Sequence, residues 1–163
     1  MTQLAANADN LRIGLMGVGG VCAAVHYPGL SRIPGVTIQA ICDPNAELVS
    51  SRAAEWGVSS SFTNVGDLLA EGLDAVVIAT PNDQHRPLIE AALDAGCHVL
   101  CEKPLGMSLS ETIAIYEKAE ASGLRHMTAF TYRFVPAMNY LRHLVHTGVL
   151  GEIRHARVQR LQD

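Results

Sequence analysis

A glycine-rich segment after the first apolar run of the chain has the spacing of a phosphate-binding turn. Residues 17–22 read Gly-Val-Gly-Gly-Val-Cys, directly after the apolar run Ile13–Met16 and before a stretch of helical character. A glycine turn between strand and helix lets backbone N–H groups approach a pyrophosphate at the positive end of the helix dipole. A plain strand-to-helix turn uses the same residues, so context must support a dinucleotide site. Its candidate contact residues are Gly17, Gly19, Gly20 and Val21.

An acidic residue stands at the end of the second apolar run. Asp43 lies 26 positions after Gly17 and directly before Pro44. A carboxylate there can accept hydrogen bonds from both hydroxyls of an adenosine ribose, and its charge repels a 2′-phosphate. Asp43 is also a candidate cap for a helix predicted at 45–56. No arginine follows at once, although Arg52 lies on that helix, so NAD is favoured over NADP.

Two further polar segments follow apolar runs of strand length. Residues 80–85 read Thr-Pro-Asn-Asp-Gln-His and follow the run Ala75–Ala79. Residues 102–104 read Glu-Lys-Pro and follow the run Val99–Cys101. Parallel sheets bind ligands outside the carboxyl ends of their strands, where a lysine can stabilise an alkoxide or accept a proton. The plain alternatives are a capping Asn82, a solvated His85 and an exposed charge pair at Glu102 and Lys103.

Strands and helices must alternate along the chain to bring these segments to one edge. Apolar runs predict strands at Ile13–Met16, Val36–Ile41, Ala75–Ala79, Val99–Cys101 and Met127–Phe130, with a weak one at Ser61–Phe62. Capping and periodicity predict helices at 23–33, 45–56, 64–69, 83–95, 108–123 and 136–147. This alternation implies right-handed crossovers and a parallel sheet covered on both faces. We therefore predict an α/β fold of the Rossmann type, with a doubly wound parallel sheet.

The motifs, taken in this order, carry a family resemblance. The matching text is IGLMGVGGVCAAVHYPGL, AICDP, DAVVIATPNDQHRPLIEAALDAGCHVLCEKPLG and TAFTYRFVPAMNYLRHLVHTGVLGEI, from about Ile13 to Ile153. It resembles the amino-terminal part of the Gfo/Idh/MocA family, named for glucose–fructose oxidoreductase and inositol 2-dehydrogenase. The Glu-Lys-Pro element with the preceding Thr-Pro-Asn-x-x-His is specific, whereas the glycine turn alone is not. The sequence departs from the family at Cys22, where the turn usually has a smaller residue.

The resemblance implies a nicotinamide cofactor and assigns residues to its site. It implies that Glu102 lies near the nicotinamide ribose and Lys103 in the catalytic site, and it allows a cis peptide bond before Pro104. The other residues that it implies at the cofactor are Thr80, Pro81, Asn82 and His85. It also implies that Arg133 lies near the entrance to a second domain.

The expected function is hydride transfer between nicotinamide and a sugar, polyol or related secondary alcohol. In this interpretation the protein is an NAD(P)-dependent dehydrogenase with a small-molecule substrate, and the full-length form is a homo-oligomer. One alternative is a dinucleotide-binding or redox-sensing module without catalysis. Another is a Rossmann domain for a different nucleotide.

The domain organisation follows from the same patterns. We expect a disordered tail at 1–10, an NAD(P)-binding domain at 11–134, and a linking helix and first strand of a second α/β domain at 135–163. That strand is predicted at Glu152–Leu161, where polar and apolar residues alternate. In the family, the second domain binds substrate and forms the oligomer interface. We therefore expect this chain to be incomplete as an enzyme and to tend to self-associate.

Composition and charge exclude several other classes. With 48% apolar and 17% charged residues in 163, the chain is neither disordered nor fibrous. A net charge of −4 argues against a nucleic-acid partner. No apolar run approaches the roughly 18 residues of a membrane span, and the first ten residues do not form a signal peptide. The four cysteines form no C-x-x-C pair, so we expect free thiols, no metal and a cytoplasmic protein.

Overall fold

A single sheet of six parallel strands forms the centre of the computed structural model, which describes residues 10–159 and residue 161. The strands are β1 (Leu11–Met16), β2 (Val36–Cys42), β3 (Ser60–Phe62), β4 (Ala75–Ile78), β5 (His98–Cys101) and β6 (His126–Thr128). Their spatial order is β3-β2-β1-β4-β5-β6. Strand order therefore reverses between β1 and β4, as in a Rossmann fold. The predicted fold class is confirmed.

Helices connect the strands, as the alternation predicts. They are α1 (Tyr27–Leu30), α2 (Ala46–Trp56), α3 (Val65–Leu69), α4 (His85–Asp94), α5 (Leu109–Ser122) and α6 (Pro136–His146). The Asn64 side chain caps α3, and the Ser108 side chain caps α5 by accepting from Glu111 N–H. Gly57 and Gly123 end α2 and α5 with positive φ, which a residue with a Cβ rarely adopts. Local sequence therefore defines most helix ends.

The start of α2 corrects one prediction. Asn45, and not Asp43, is the N-cap, since its side chain accepts a hydrogen bond from Leu48 N–H at 3.0 Å. Asp43 lies two residues earlier and accepts from Asn45 N–H at 3.0 Å. Asn and Asp cap helices about equally well, so position along the chain decides which of them does so here. The Asp43 carboxylate is thus left for another role.

The helical segment after the glycine turn is irregular. Residues Cys22–His26 form a π-helical turn that runs directly into α1, and Tyr27 N–H bonds to the carbonyl of Cys22. Pro28 follows and has no N–H with which to continue the usual helical pattern. Single π-turns of this kind often occur at functional sites. The turn places His26, rather than an apolar residue, against the domain interior.

The core fills both faces of the sheet, because successive strand residues point to opposite sides. On one face Met16, Val76 and Ile78 pack in a cluster with α3, α4 and α5. On the other, Leu15 and Val77 pack in a second cluster with the glycine turn and α2. Burying each such side chain contributes about 1.5–3 kcal/mol. The sheet is therefore held rigidly from both sides beneath its strand ends.

The contacts divide the chain into two compact units, which meet in the sequence between Ala129 and Phe130. The second unit contains a 3-10 turn at Thr131–Phe134 and helix α6, which is close to the helix predicted at 136–147. The turn packs on α6, and the domain boundary predicted at 134 stays a prediction. That residues 135–163 begin a second domain stays a prediction.

The strand predicted at Glu152–Leu161 is wrong for the residues that the structure describes in it. Residues 153–159 have no strand structure. A strand needs a neighbour for its hydrogen bonds, and the described part of the second unit holds no other strand with which it could pair. The segment with the alternating pattern therefore has no strand to pair with in the described part of the second unit. The tail predicted at 1–10 lies, except for Asn10, outside the described residues.

Across residues 10–159, no helix is long and apolar enough to cross a membrane.

The capping assignment of α2 can be tested by substitution. We expect Asn45→Ala to lower the free energy of unfolding by about 1 kcal/mol, because Leu48 N–H loses its partner. Urea denaturation followed by circular dichroism measures this change. Ser50→Ala, on an exposed position of the same helix, is the control and should change stability by less than about 0.5 kcal/mol. Equal stability of Asn45→Ala and the wild type would contradict the assignment.

Candidate functional site

The carboxyl ends of the strands lie in one row. The register pairs Phe62 with Cys42, Cys42 with Met16, Met16 with Ile78, and Ile78 with Cys101. The residue that follows β2, β1, β4 or β5 bonds through its N–H to the last carbonyl of a neighbouring strand. These bonds are Asp43 N–H to Phe62 O (3.1 Å), Gly17 N–H to Cys42 O (2.8 Å), Ala79 N–H to Met16 O (2.8 Å) and Glu102 N–H to Ile78 O (2.9 Å). The predicted segments therefore leave the sheet side by side.

The glycine turn makes a close approach that requires glycine at its first position. Gly17 has a φ of +83°, and a Cβ there would lie 2.7 Å from the carbonyl oxygen of Ala79. Around Gly19 and Gly20, by contrast, a Cβ would meet no atom within 4 Å. Val21 follows with its side chain half exposed. The turn thus packs tightly against β4 and leaves its outer surface open.

Asp43 is tied to the glycine turn. Its Oδ2 accepts a hydrogen bond from Val18 N–H at 3.1 Å, while Oδ1 accepts from Asn45 N–H. A carboxylate has two oxygens with about four acceptor positions, so both keep capacity for further donors. Asp43 is half-buried at the end of β2. The carboxylate is therefore fixed in place and still able to accept from a ligand.

A cavity of about 450 Å³ lies at this edge of the sheet, in the first unit. Its wall includes Gly17, Gly19, Asp43, Pro44, Thr63, Val65, Thr80, Pro81, Gln84 and Leu88. Most of the wall is apolar, with a few polar groups, as is usual for cofactor sites. One of these, the Thr80 hydroxyl, is buried without a hydrogen-bond partner among the described residues. The cavity has the size and chemistry to hold part of a nucleotide.

The positive charge of Arg52 is paired with Glu55 and not with Asp43. Its guanidinium pairs with Glu55 and lies 5.5 Å from the centre of the Trp56 ring. Trp56 in turn stacks on Tyr27 at 4.2 Å. Arg52 is thus engaged in the contact between α1 and α2.

His85 lies behind the cavity wall rather than on it. It is fully buried, with its Nδ1 2.8 Å from the carbonyl oxygen of Pro104 and its Nε2 3.1 Å from that of Thr80. The alternative of a solvated histidine is therefore wrong, because α4 begins at His85 and turns it into the interior. Both ring nitrogens face main-chain carbonyls, and the implied place of His85 at a cofactor stays a prediction. Asn82 lies on a 3-10 turn, Asn82–Gln84, and does not cap it with its side chain.

The Glu-Lys-Pro segment is held by a residue that the sequence did not single out for it. Glu102 Oε1 lies 2.9 Å from Nε2 of His26, and the two side chains are only 13% and 7% exposed. The other carboxylate oxygen of Glu102 accepts from Lys103 N–H at 3.2 Å. Lys103 itself is exposed, and its peptide bond to Pro104 is cis, as the resemblance allows. An exposed charge pair between Glu102 and Lys103 is therefore not what the structure shows.

His26 is not among the residues that the sequence motifs single out. No spacing rule links it to Glu102, which is 76 positions further along the chain. The available signal was its place nine residues after Gly17, on the helix that leads away from the turn. A polar residue there, among apolar neighbours, needs a partner.

The remaining predicted site residue, Arg133, belongs to the second unit. It lies on the turn Thr131–Phe134, with Met138 and Arg142 around a shallow depression. Its place near a cofactor stays a prediction. Within the described ranges, no group of three or more histidines, cysteines or acidic residues is arranged to hold a metal ion.

Buried thiols surround the site. Cys22 follows the glycine turn, Cys42 precedes Asp43, and Cys101 precedes Glu102; all are free and buried. Burial raises the pKa of Cys22 and Cys101 to about 12 and that of Cys42 to about 11. Thiols of this kind stay protonated at neutral pH and behave as small apolar side chains.

Together, the reversed strand order, the glycine turn and the acid at the end of β2 define a dinucleotide-binding Rossmann domain. A family model described as "Oxidoreductase family, NAD-binding Rossmann fold" (GFO_IDH_MocA) matches residues 11–130. The chain belongs to this Gfo/Idh/MocA family of oxidoreductases, and its sequence resemblance is confirmed.

Relatives show which part of the family's length the chain represents. Inositol 2-dehydrogenase of Corynebacterium glutamicum is 35% identical over 149 residues, which cover 90% of this chain and 44% of that protein. D-xylose 1-dehydrogenase (NADP(+)) 2 of Haloferax volcanii is 35% identical over 136 residues, covering 83% and 42%. The chain thus spans less than half the length of these relatives.

A solved structure shares the fold. It is scyllo-inositol dehydrogenase from Lactobacillus casei with bound NAD(H) and scyllo-inositol. The TM-score is 0.83 and the identity 27%, over 88% of this chain and 43% of that one.

The close approach of the turn predicts different costs for two glycine substitutions. We expect Gly17→Ala to destabilise the fold by about 1–3 kcal/mol from backbone strain alone, before the contact with the Ala79 carbonyl is added. Gly20→Ala is the matched control, because its Cβ meets open space and alanine favours the helix. Thermal unfolding of both variants measures the difference. A Gly17→Ala protein as stable as Gly20→Ala would show that the turn is not packed as described.

The raised thiol pKa values predict how stability changes at high pH. Folding keeps these thiols neutral, whereas the unfolded chain ionises them near the ordinary pKa of 9.0. Their contribution to the free energy of unfolding is therefore complete below about pH 9 and is lost progressively towards about pH 12.

The measurement is urea unfolding between pH 7 and pH 11 (about one unit per step), with thiol labelling by a disulfide reagent in parallel. We expect the native protein to resist labelling at about pH 8 and the unfolded protein to react at all its cysteines. Rapid labelling of the native state would contradict the burial of these groups.

Proposed function

We propose that this chain is the nicotinamide-binding part of an NAD-dependent oxidoreductase that acts on a secondary alcohol of a sugar or polyol. The observation that carries the proposal is the alignment of strand ends, which brings the glycine turn, Asp43 and Glu102–Lys103 to one edge of the sheet. The relatives' names, inositol 2-dehydrogenase and D-xylose 1-dehydrogenase, support this substrate class.

The residues of the cavity fit a dinucleotide. The surface at Gly19 and Gly20 is open, next to N–H groups at the start of a helical segment that suit an anionic phosphate. The Asp43 carboxylate has unused acceptor positions for ribose hydroxyls. The buried Thr80 hydroxyl has a free donor and acceptor at the cavity wall. A bound dinucleotide would offer each of these groups a partner of complementary polarity, such as phosphate oxygens for the N–H groups and ribose hydroxyls for Asp43.

NAD is the proposed form of the cofactor. A 2′-phosphate on the adenosine ribose would meet the negative charge of Asp43. Arg52, which could offset that charge, is paired with Glu55 instead. The family includes a relative whose name specifies NADP, so this choice depends on these residues and not on family membership.

The chain's own residues position and polarise the reactants. When bound, the nicotinamide supplies the hydride acceptor or donor. Lys103, exposed beyond the end of β5, donates a hydrogen bond from its ammonium to the reacting oxygen and stabilises negative charge there. Glu102 holds its carboxylate between His26 and Lys103 N–H, next to the proposed nicotinamide ribose. Thr80 and Pro81 lie on the wall of the cavity beside the turn, and Asn82 follows them along the chain.

Asp43 provides the test of cofactor choice. We expect the wild type to bind NADH in preference to NADPH. Asp43→Asn should weaken NADH binding about tenfold, because a charge-assisted hydrogen bond contributes about 1.5–3 kcal/mol, and should improve NADPH binding. The affinities are measured by titration calorimetry with NAD, NADH, NADP and NADPH.

Glu47→Gln is the matched control, because it removes one exposed negative charge in the first turn of α2 without touching the cavity. It should leave the ratio of NADH to NADPH affinity unchanged. Absence of binding to all four dinucleotides would refute the proposed function. Equal changes in Asp43→Asn and Glu47→Gln would mean that general charge, and not Asp43, sets the preference.

A further inference from the structure

The two residues on either side of Lys103 are each held by a buried histidine. His26 contacts the Glu102 carboxylate at 2.9 Å, and His85 contacts the Pro104 carbonyl at 2.8 Å. The histidines come from different elements, the π-helical turn after β1 and the start of α4. Both are among the buried polar residues of the chain, and His85 is fully buried.

These contacts are hydrogen-bonded anchors of the Lys103 loop, whose Leu105 also packs against the core. The sheet's last hydrogen bond to this segment is Glu102 N–H to Ile78 O. The next anchor to a helix is Met107 N–H, which donates to the Glu111 carboxylate at 2.8 Å. Between them, among the described residues, the hydrogen bonds from this loop to other elements are those with His26 and His85. Of the polar contacts that hold the residues next to Lys103 to other elements, two are therefore made by imidazole rings.

His85 also links this loop to the neighbouring strand end. Its Nε2 faces the Thr80 carbonyl at 3.1 Å while Nδ1 faces the Pro104 carbonyl. Every imidazole form carries at least one N–H, so the ring donates to at least one of the two carbonyls. Its planar shape fixes the distance between the two main-chain segments. The Thr80 wall of the cavity and the Lys103 loop are thus joined through one side chain.

We infer that His26 and His85 are positioning residues that fix the place of Lys103 relative to the cofactor cavity. The inference rests on the proposed function for the role of Lys103, although the placement itself is a property of this chain alone. Neither histidine touches the reacting atoms. A misplacement of about 1 Å in a reacting group costs on the order of a hundredfold in rate, so such anchors matter in catalysis.

The chain has two lysines, Lys103 and Lys118, which makes the placement measurable without cofactor or substrate. Both are converted to ¹³C-dimethyl-lysine, which keeps the positive charge, and are observed by NMR. Lys118→Arg and Lys103→Arg assign the two lysine signals, and the third signal is that of the dimethylated α-amino group. Lys118 pairs with Asp94 at 2.8 Å, away from the loop, and serves as an internal reference.

Two pairs of variants separate anchoring from packing. His85→Leu and His26→Leu remove the ring nitrogens. His85→Asn keeps a donor near the position of Nδ1, and His26→Gln keeps one near Nε2. Ile89→Val, one turn further along α4 and buried in the core, is a control that lowers stability without touching the loop.

We expect each leucine variant to shift the Lys103 signal by more than its line width and to leave Lys118 in place. His85→Asn and His26→Gln should restore the Lys103 signal, and Ile89→Val should move neither signal. An unchanged Lys103 signal in the leucine variants, or an equal shift in Ile89→Val, overturns the inference. If His85→Leu does not fold, His26→Leu decides by the same criterion.

NADH titration of the same samples separates this inference from the proposed function. If the wild type binds NADH, the leucine variants should bind it at least about threefold more weakly. The amide variants should bind it within about twofold of the wild-type affinity. If the wild type does not bind NADH, the proposed function fails, while the Lys103 signal still decides whether the histidines hold the loop.

Discussion

Parallel register is the constraint on which the site depends. Because all the strands run in one direction and end in one row, the first residue after each strand except β3 is hydrogen-bonded to the last carbonyl of a neighbouring strand. These bonds fix the main chain of Gly17, Asp43, Ala79 and Glu102 before any side chain is considered. A shift of register by one residue would turn every side chain in that strand to the other face. The two-sided core, with Leu15 on one face and Met16 on the other, makes such a shift costly.

A second set of contacts ties the loops together beyond the sheet. Gly17 packs against the Ala79 carbonyl, and Val18 N–H bonds to Asp43. His26 reaches Glu102, and His85 joins the segment at Thr80 to the one at Pro104. Each contact crosses from one strand end to another. The loops therefore form one connected layer above the sheet, although they are far apart in sequence.

Sequence alone predicted the sheet and most helices because those depend on local patterns. The run at Ala75–Ala79 and the capping box at Ser108 each indicate an element from adjacent residues. The glycine turn was also visible, since its spacing reports a backbone requirement. These features depend on residues that are close together in the chain, so the sequence alone predicts them.

Contacts between distant segments were not predictable in the same way. His85 follows a 3-10 turn, and only the fold shows that this turn directs the ring inward to two carbonyls. His26 and Glu102 meet only because β1 and β4, and then β4 and β5, are neighbours. The strand predicted at Glu152–Leu161 is absent from the described residues for the converse reason. Its alternating pattern is local, but a strand also needs a neighbouring strand, and the described part of the second unit holds none.

The buried His26–Glu102 hydrogen bond fixes the orientation of the Glu102 carboxylate, which is an effect separate from stability. Removing such polar groups from water is costly, and an apolar pair of similar volume is often equally stabilising. An apolar pair, however, has no preferred direction, whereas a hydrogen bond of 2.9 Å fixes which way the Glu102 carboxylate points. The same carboxylate accepts from Lys103 N–H, so its direction also sets the main chain that carries the lysine. In this layer of loops, buried polar side chains fix orientation. The apolar clusters beneath the layer supply most of the stability.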